Sequence, residues 1–389
     1  MAEIYLDNSA TTKICDEALE KYREVSLSQY GNPSSLHSLG FQGEKILKEA
    51  RRELLASLAA PGSTAVFTAS GSEANNLAII GRALSKERFK GGKIITTDSE
   101  HASVTEPLAR LADIGFRIVK IPTRGGVIDI DTLSRELTPD VILVTMMMVN
   151  NETGACYDLG AVARLMKVKS PEAVLHVDAT QSYMKIPFTK AAIGADMITV
   201  SSHKIEGPKG VGALVVDEKL VKNKGLSPII LGGGQEGGLR SGTENVPGVA
   251  AFCEAVRIAK SGLTARGAYI NGLREYLIEK FNTSPTLSEV KLTLPVRHAP
   301  HILNITLPGI KSETMLHHLS SRGIFVSSGS ACSSNSRHVS SALIAYGHTV
   351  DEADSSLRIS LSHRNTKEEL DEFIAVLGEG LTKLARAKK

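Results

Sequence analysis

Cysteine is scarce in this chain: four occur among 389 residues, at positions 15, 156, 253 and 332. Thiols so few and so far apart form no disulfide framework, and none shows the paired spacing of a zinc site. The expected compartment is therefore the cytoplasm. An excess of either charge is also missing, with 45 Lys plus Arg against 42 Asp plus Glu and a net charge of +3. That balance gives no reason to expect nucleic acid or a membrane surface as the main partner. No apolar run approaches the roughly 20 residues of a membrane span, and the opening MAEIYLDNSATT has no signal-peptide core. Repeats are absent too; the nearest thing to low complexity is the Ser-rich stretch 327–341. What remains is an ordinary globular composition, 42% hydrophobic and 22% charged, long enough for a large core.

Between about residues 60 and 260, short β-rich runs alternate with helical stretches. Strands are expected at 65–70, 93–97, 117–122, 141–149, 173–178, 196–201 and 212–217. Most of these are continuous apolar runs, the pattern of strands covered by helices on both faces. Helical periods such as 73–86 and 104–115 lie between them, so the spacing predicts βαβ units and a seven-stranded, mainly parallel sheet. The C-terminal third mixes strands and helices without strict alternation and closes on an amphipathic helix at 366–386. The expected organisation is a large α/β domain over 16–260. Residues 1–15 and 261–389 would form a smaller α+β domain.

Several motifs carry chemistry. In TASGSEANN (68–76) a strand end, a Gly/Ser turn and a helix start make a place where backbone N–H groups cradle phosphate; an ordinary Ser-capped turn reads the same way. Asp178, in HVDATQS, ends a strongly apolar strand, where open α/β sheets bind ligands. It suits a protonated heterocyclic nitrogen such as that of pyridoxal phosphate, or else a helix cap or a metal. SSHKIEGPKG begins 23 residues later, and one βαβ step puts its Lys204 at the same sheet edge, able to form a Schiff base with an aldehyde. Lys209 is the rival in a turn leading outward. His101, in DSEHASV, follows another strand at the matching end and could stack on a flat ring and move protons. Cys332, in SSGSACSSNS, has small polar neighbours that suit a reachable thiol. Arg358, mid-strand among apolar residues, wants a buried anion, either a substrate carboxylate or a structural partner.

Taken in order, DNSATT, NPSSLH, SGSEANN, EHASV, VNNETG, HVDATQS, SSHKIEGPKG, GGGQEGGLRSGTEN and SSGSACSS span nearly the whole chain. The set resembles the NifS/IscS-type cysteine desulfurases, pyridoxal-phosphate enzymes with the type I transferase fold of the class V aminotransferases. The SSGSAC segment resembles the subgroup with its cysteine on a long loop. The resemblance implies a homodimer that takes sulfur from L-cysteine and releases alanine. Lys204, Cys332 and His101 would be catalytic. Cofactor contacts would come from Gly71, Ser72, His101, Asn151, Asp178, Gln181, Ser201, His203 and Lys204, with Thr243 supplied by the neighbouring subunit. Asn151, Arg358 and Asn32 would bind the substrate, and no metal is implied. Sulfur would pass as a persulfide on Cys332 to an acceptor protein in iron–sulfur assembly or thio-modification.

Departures from the family pattern concern the acceptor more than the chemistry. Ser72 stands for the usual Thr, Gly237 for a common Arg, and Ser362-His363-Arg364 for a Gly-Arg-Phe-like run. The ending TKLARAKK suggests no extended tail for docking a scaffold. Two other readings are selenocysteine lyase or another class V activity, and a non-catalytic dimeric sulfur-relay scaffold. The loop cysteine weighs against an aminotransferase. Intact Lys204, Asp178 and His101 weigh against the scaffold.

Overall fold

The computed structural model describes residues 3–85, 92–328 and 339–386. After a short β1 (Ile4–Tyr5), the large sheet comprises β2 (Ser63–Thr68), β3 (Lys93–Thr97), β4 (Arg117–Ile121), β5 (Val141–Met147), β6 (Val174–Asp178), β7 (Met197–Ser201) and β8 (Gly212–Asp217). Its order is β2-β8-β7-β6-β5-β3-β4. All seven expected strands are present, each within a few residues of its expected place. Every residue of β3, β5, β6 and β7 is buried, which is why these runs are apolar without alternation. At one edge, β4 exposes Arg117 and Lys120, charges that discourage pairing with another chain.

Neighbours from β4 through β7 pair in parallel, whereas β8 runs antiparallel to both β2 and β7. The sheet is thus mixed but mostly parallel, with one reversed strand. That reversal brings the start of β8 to the edge where the other strands end. Gly212 stands there opposite Ser201 and Thr68. A Cβ on Gly212 would lie 2.5 Å from the Ser70 carbonyl carbon, so only glycine lets the β2 turn pass so close. The chain steps outward from β3 to β4, returns to β5 on the other side of β3, and continues through β6 and β7. The crevice left where the direction changes is where such sheets bind ligands.

A second sheet is antiparallel, in the order β12-β13-β10-β9, from β9 (Lys291–Thr293), β10 (Ile302–Thr306), β12 (Ser327–Ser328) and β13 (Ser356–Ser360). The N-terminus joins this region: β1 pairs in parallel with β11 (Ile324–Phe325), and Asp7 bridges Ser360. One apolar cluster here draws on Ile4, Leu6, Leu303, Leu357 and Phe373. The long helix Val246–Thr283 serves two cores. Its first half packs Val249, Phe252 and Val256 against the large sheet, and its second half packs Leu273, Leu277 and Phe281 here.

Candidate active site

A cavity of about 500 Å³ opens at the carboxyl ends of the parallel strands, between the large sheet and β12–β13. Its walls include Gly71, Ser72, His101, Asn151, Asp178, Gln181, Ser201, His203, Lys204 and Arg358. These are ten of the residues expected from sequence, drawn from segments nearly 290 positions apart.

The helix Gly71–Ala83 starts directly after β2. Ser70 caps it, its hydroxyl accepting from the Glu73 N–H at 3.1 Å. The first-turn N–H groups of Gly71 and Ser72 have no intrahelical acceptors, and the dipole favours an anion there. Across from them the buried Ser201 Oγ has no hydrogen-bond partner among the described residues. A Cβ on Gly71 would come within 3.2 Å of Ser201 Cβ and 3.3 Å of Thr180 Oγ1. The absent side chain is what leaves this cradle open. An orphaned hydroxyl, a helix start and a glycine hollow fit a phosphate group.

Asp178, at the end of β6, accepts from Asn75 Nδ2 and from the Thr180 N–H at 2.8 and 2.9 Å. Below it, His176 is sealed between Thr145 and Thr199, and burial lowers its pKa to about 4, so it stays neutral. The Asn75 amide donates a second hydrogen to Ser103 Oγ at 2.8 Å. Ser103 in turn presents both its N–H (3.1 Å) and its hydroxyl (2.8 Å) to His101 Nδ1. Since Nδ1 accepts, neutral His101 carries its proton on Nε2. Burial lowers the His101 pKa, and Asp178 pulls the other way. A carboxylate and an imidazole on different strands are thus tied through one amide and one serine.

Lys204 lies in the single turn Ser202–Lys204 after β7, and its ammonium donates to the main-chain carbonyls of Ser9 and Ala10 at 2.6 and 2.7 Å. Its rival Lys209 is exposed and lies outside the cavity. His203 contacts Thr11 Oγ1 at 3.1 Å; burial, followed by the Lys204 charge, lowers its pKa to about 4. Gln181 donates to the Ser9 carbonyl at 2.9 Å. Arg358 donates to the Asn151 carbonyl at 3.0 Å and to Asp7 Oδ1 at 2.9 Å, while its buried Nε–H has no partner among the described residues. The structural partner considered for Arg358 therefore exists, and the guanidinium still keeps an unused donor.

Asn32 and Thr243 are exposed and outside this chain's own cavity; the Asn32 side chain accepts from the Ser34 N–H at 2.9 Å. Cys332 lies outside the described residues. The chain on either side of that stretch meets the cavity: Ser327 and Ser328 line it, and Ser340 donates to the cavity residue Glu152 at 2.5 Å. Sequence reasoning missed Asp7, Asn75, Ser103 and Glu152. All four lie inside or beside motifs already singled out, but their partners are distant in the chain.

The sequence model of the aminotransferase class-V family matches residues 4–373. The chain belongs to this family. Among curated relatives, a NifS/IcsS protein homolog of Lactobacillus delbrueckii is 37% identical over 97% of this chain and 96% of its own. Cysteine desulfurase IscS 1 of Archaeoglobus fulgidus is 36% identical over 96% and 95% respectively. A solved NifS-like protein superposes with a TM-score of 0.89 at 32% identity, covering 98% of this chain and all of its own. The structure of SspA in complex with cysteine matches with a TM-score of 0.79 at 29% identity, covering 94% of this chain and 100% of its own. As a class V member, the chain has the α/β fold expected from its motifs, and no helix among the described residues is long and apolar enough to cross a membrane.

Proposed function

We propose that this chain is a cysteine desulfurase that uses pyridoxal 5'-phosphate to move sulfur from L-cysteine to its own Cys332. One observation carries the reading. The amine of Lys204, the carboxylate of Asp178, the His101 imidazole and the Gly71–Ser72–Ser201 cradle all face one cavity. Relatives named cysteine desulfurase, and one solved with cysteine bound, support the choice of substrate.

Gly71, Ser72, Ser201 and His203 would hold the phosphate, with Thr243 reaching in from a second copy. Lys204 would bond the aldehyde, Asp178 would face the ring nitrogen, Gln181 the ring oxygen, and Asn151 and His101 the ring. When bound, the cofactor supplies an electron sink for charge that develops at the substrate α-carbon. Arg358 would take the substrate carboxylate on its fork. The carbonyls of Ser9 and Ala10 would hold the Lys204 amine whenever it is not bonded to the cofactor, in place to carry the substrate α-proton. His101, its Nδ1 occupied by Ser103, works through Nε2 as the proton carrier near sulfur.

In the sulfur step, Cys332 thiolate attacks the substrate sulfur. A sulfur–sulfur bond forms as the carbon–sulfur bond breaks, and the β-carbon takes up a proton, so L-cysteine leaves as L-alanine. The described thiols suit this role poorly. Burial raises the pKa of Cys15, and lifts those of Cys156 and Cys253 to about 11 and about 12. Cys332 follows the cavity residue Ser328 by four positions, a reach of at most about 14 Å. The persulfide would then pass to an acceptor protein.

We further propose a homodimer, which gives exposed Thr243 a site to complete and covers the exposed apolar side chains of Leu36 and Leu231. Each copy would comprise a large unit, 16–260, and a small one, 1–15 with 261–389. The test is alanine release from L-cysteine with a reductant, comparing the wild type with Cys332→Ser. Alanine from the wild type and almost none from the variant is the expected result. Equal release from both would remove Cys332 as nucleophile and favour a lyase.

A further inference from the structure

A second, smaller cavity of about 70 Å³ lies behind Lys204, which walls both chambers. Its charged and imidazole walls besides Lys204 are Lys185, Glu206, Arg266, His301 and His363, with Asn8, Thr12 and Ser362 beside them. His301 is 2% exposed, and neither ring nitrogen has a hydrogen-bond partner among the described residues. An imidazole always carries at least one N–H, so a buried donor here faces the chamber without an acceptor. Lys185 donates to Gln181 Oε1 at 3.1 Å, which leaves at least one further hydrogen on the amine. Burial first, and then the positive charges of Lys204 and Arg358, hold its amine well below the ordinary lysine range. His301 is pushed down in the same way, by burial and then by Lys185 and Arg358.

The single carboxylate among the described wall residues does not redress this. Glu206 is committed to Arg364 at 2.8 Å and lies 3.6 Å from Arg266 and 4.0 Å from His363. Among the described wall residues, the basic side chains of Lys185, Lys204 and Arg266 stand against the one carboxylate of Glu206. We propose that the chamber is a binding site for one small inorganic anion of halide size, held by Lys185 Nζ and a His301 N–H. The anion supplies the acceptor that both side chains need and the negative charge the chamber needs. A cavity this size has room for such an ion and one water, whose share of liquid is about 30 Å³. Because Lys204 forms the shared wall, the anion would also sit in the field of the amine that bonds the cofactor.

The test is an anomalous-scattering map from crystals of the holoenzyme soaked in sodium bromide. The expected result is a bromide peak within hydrogen-bonding distance of both Lys185 Nζ and the His301 ring. In parallel, chloride should raise the melting temperature saturably, measured against gluconate at equal ionic strength. Lys185→Met should weaken that chloride affinity roughly tenfold or more, the loss of one charge-assisted hydrogen bond. His301→Leu should also weaken it. Bromide peaks elsewhere on the protein with only water in this chamber would overturn the proposal, whether or not the variants fold. A peak or a chloride response unchanged in Lys185→Met would overturn it as well.

Discussion

Glu100 precedes the site histidine and is 4% exposed, wedged between β3 and β5. Its two oxygens accept from the Met147 N–H at 3.0 and 2.9 Å, and one also accepts from the Thr97 hydroxyl at 2.6 Å. Burial outweighs these donors and pushes the carboxyl up to about 8 from an ordinary 4.5, with Asp178 and Asp98 adding to the rise. A carboxyl whose pKa is higher folded than unfolded contributes most below the unfolded value and progressively less as pH climbs through the folded one. At pH 7 that loss amounts to about 3 kcal/mol, at 1.36 kcal/mol per pH unit above 4.5. Glu100→Gln keeps the shape, an acceptor for Met147 and a hydrogen for Thr97, but cannot ionise. The variant should match the wild type near pH 4.5. At pH 7 it should be more stable by about 3 kcal/mol, roughly 3–5 °C in melting temperature for a chain of this size. Thermal and urea melts of the cofactor-free protein at pH 4.5, 6 and 7.5 give the comparison. A difference that stays constant across pH, or a Gln variant that is the weaker at pH 7.5, would refute the reasoning.

Two further substitutions probe the large cavity. In Gly71→Ala, the new methyl enters the hollow beside Ser201 and Thr180, at 3.2 and 3.3 Å. Spectroscopic titration should show pyridoxal phosphate bound about tenfold more weakly, with the cofactor-free melting temperature within about 2 °C of wild type; unchanged affinity would move the phosphate elsewhere. Arg358→Met removes the guanidinium shared by Asp7 and Asn151 and the unused Nε–H. Its KM for L-cysteine should rise about 10- to 100-fold, equivalent to losing about 1.4–2.8 kcal/mol of charge-assisted binding. Steady-state kinetics with KM unaltered would assign Arg358 only to holding Asp7 and the Asn151 carbonyl.

The legible part of this protein is whatever local pattern encodes. Apolar runs marked most of the seven sheet strands because strands buried on both faces need apolar residues throughout; edge strand β4, with exposed Arg117 and Lys120, was marked by its β-branched residues and spacing. Gly/Ser turns marked the helix start at Gly71, and strand-end position marked Asp178 and Lys204. The reversed β8 was not legible, since a buried strand reads the same in either direction. Nor could the sequence pair the N-terminal carbonyls of Ser9 and Ala10 with Lys204, nearly 200 positions away.

The same limit separates the two kinds of site residue. Sequence by itself determined the elements, their order and the side chains that stand at strand ends, because dihedral preference and hydrophobic period are local. Only the tertiary structure decided that Asn75 bridges Asp178 to the Ser103–His101 pair, that Asp7 takes one arm of Arg358, and that Lys185 and His301 share a chamber behind Lys204. Hydrogen-bond and charge partners are chosen by what packing brings within about 3 Å. That proximity exists only once the sheet has formed and the N-terminal segment lies against its strand ends.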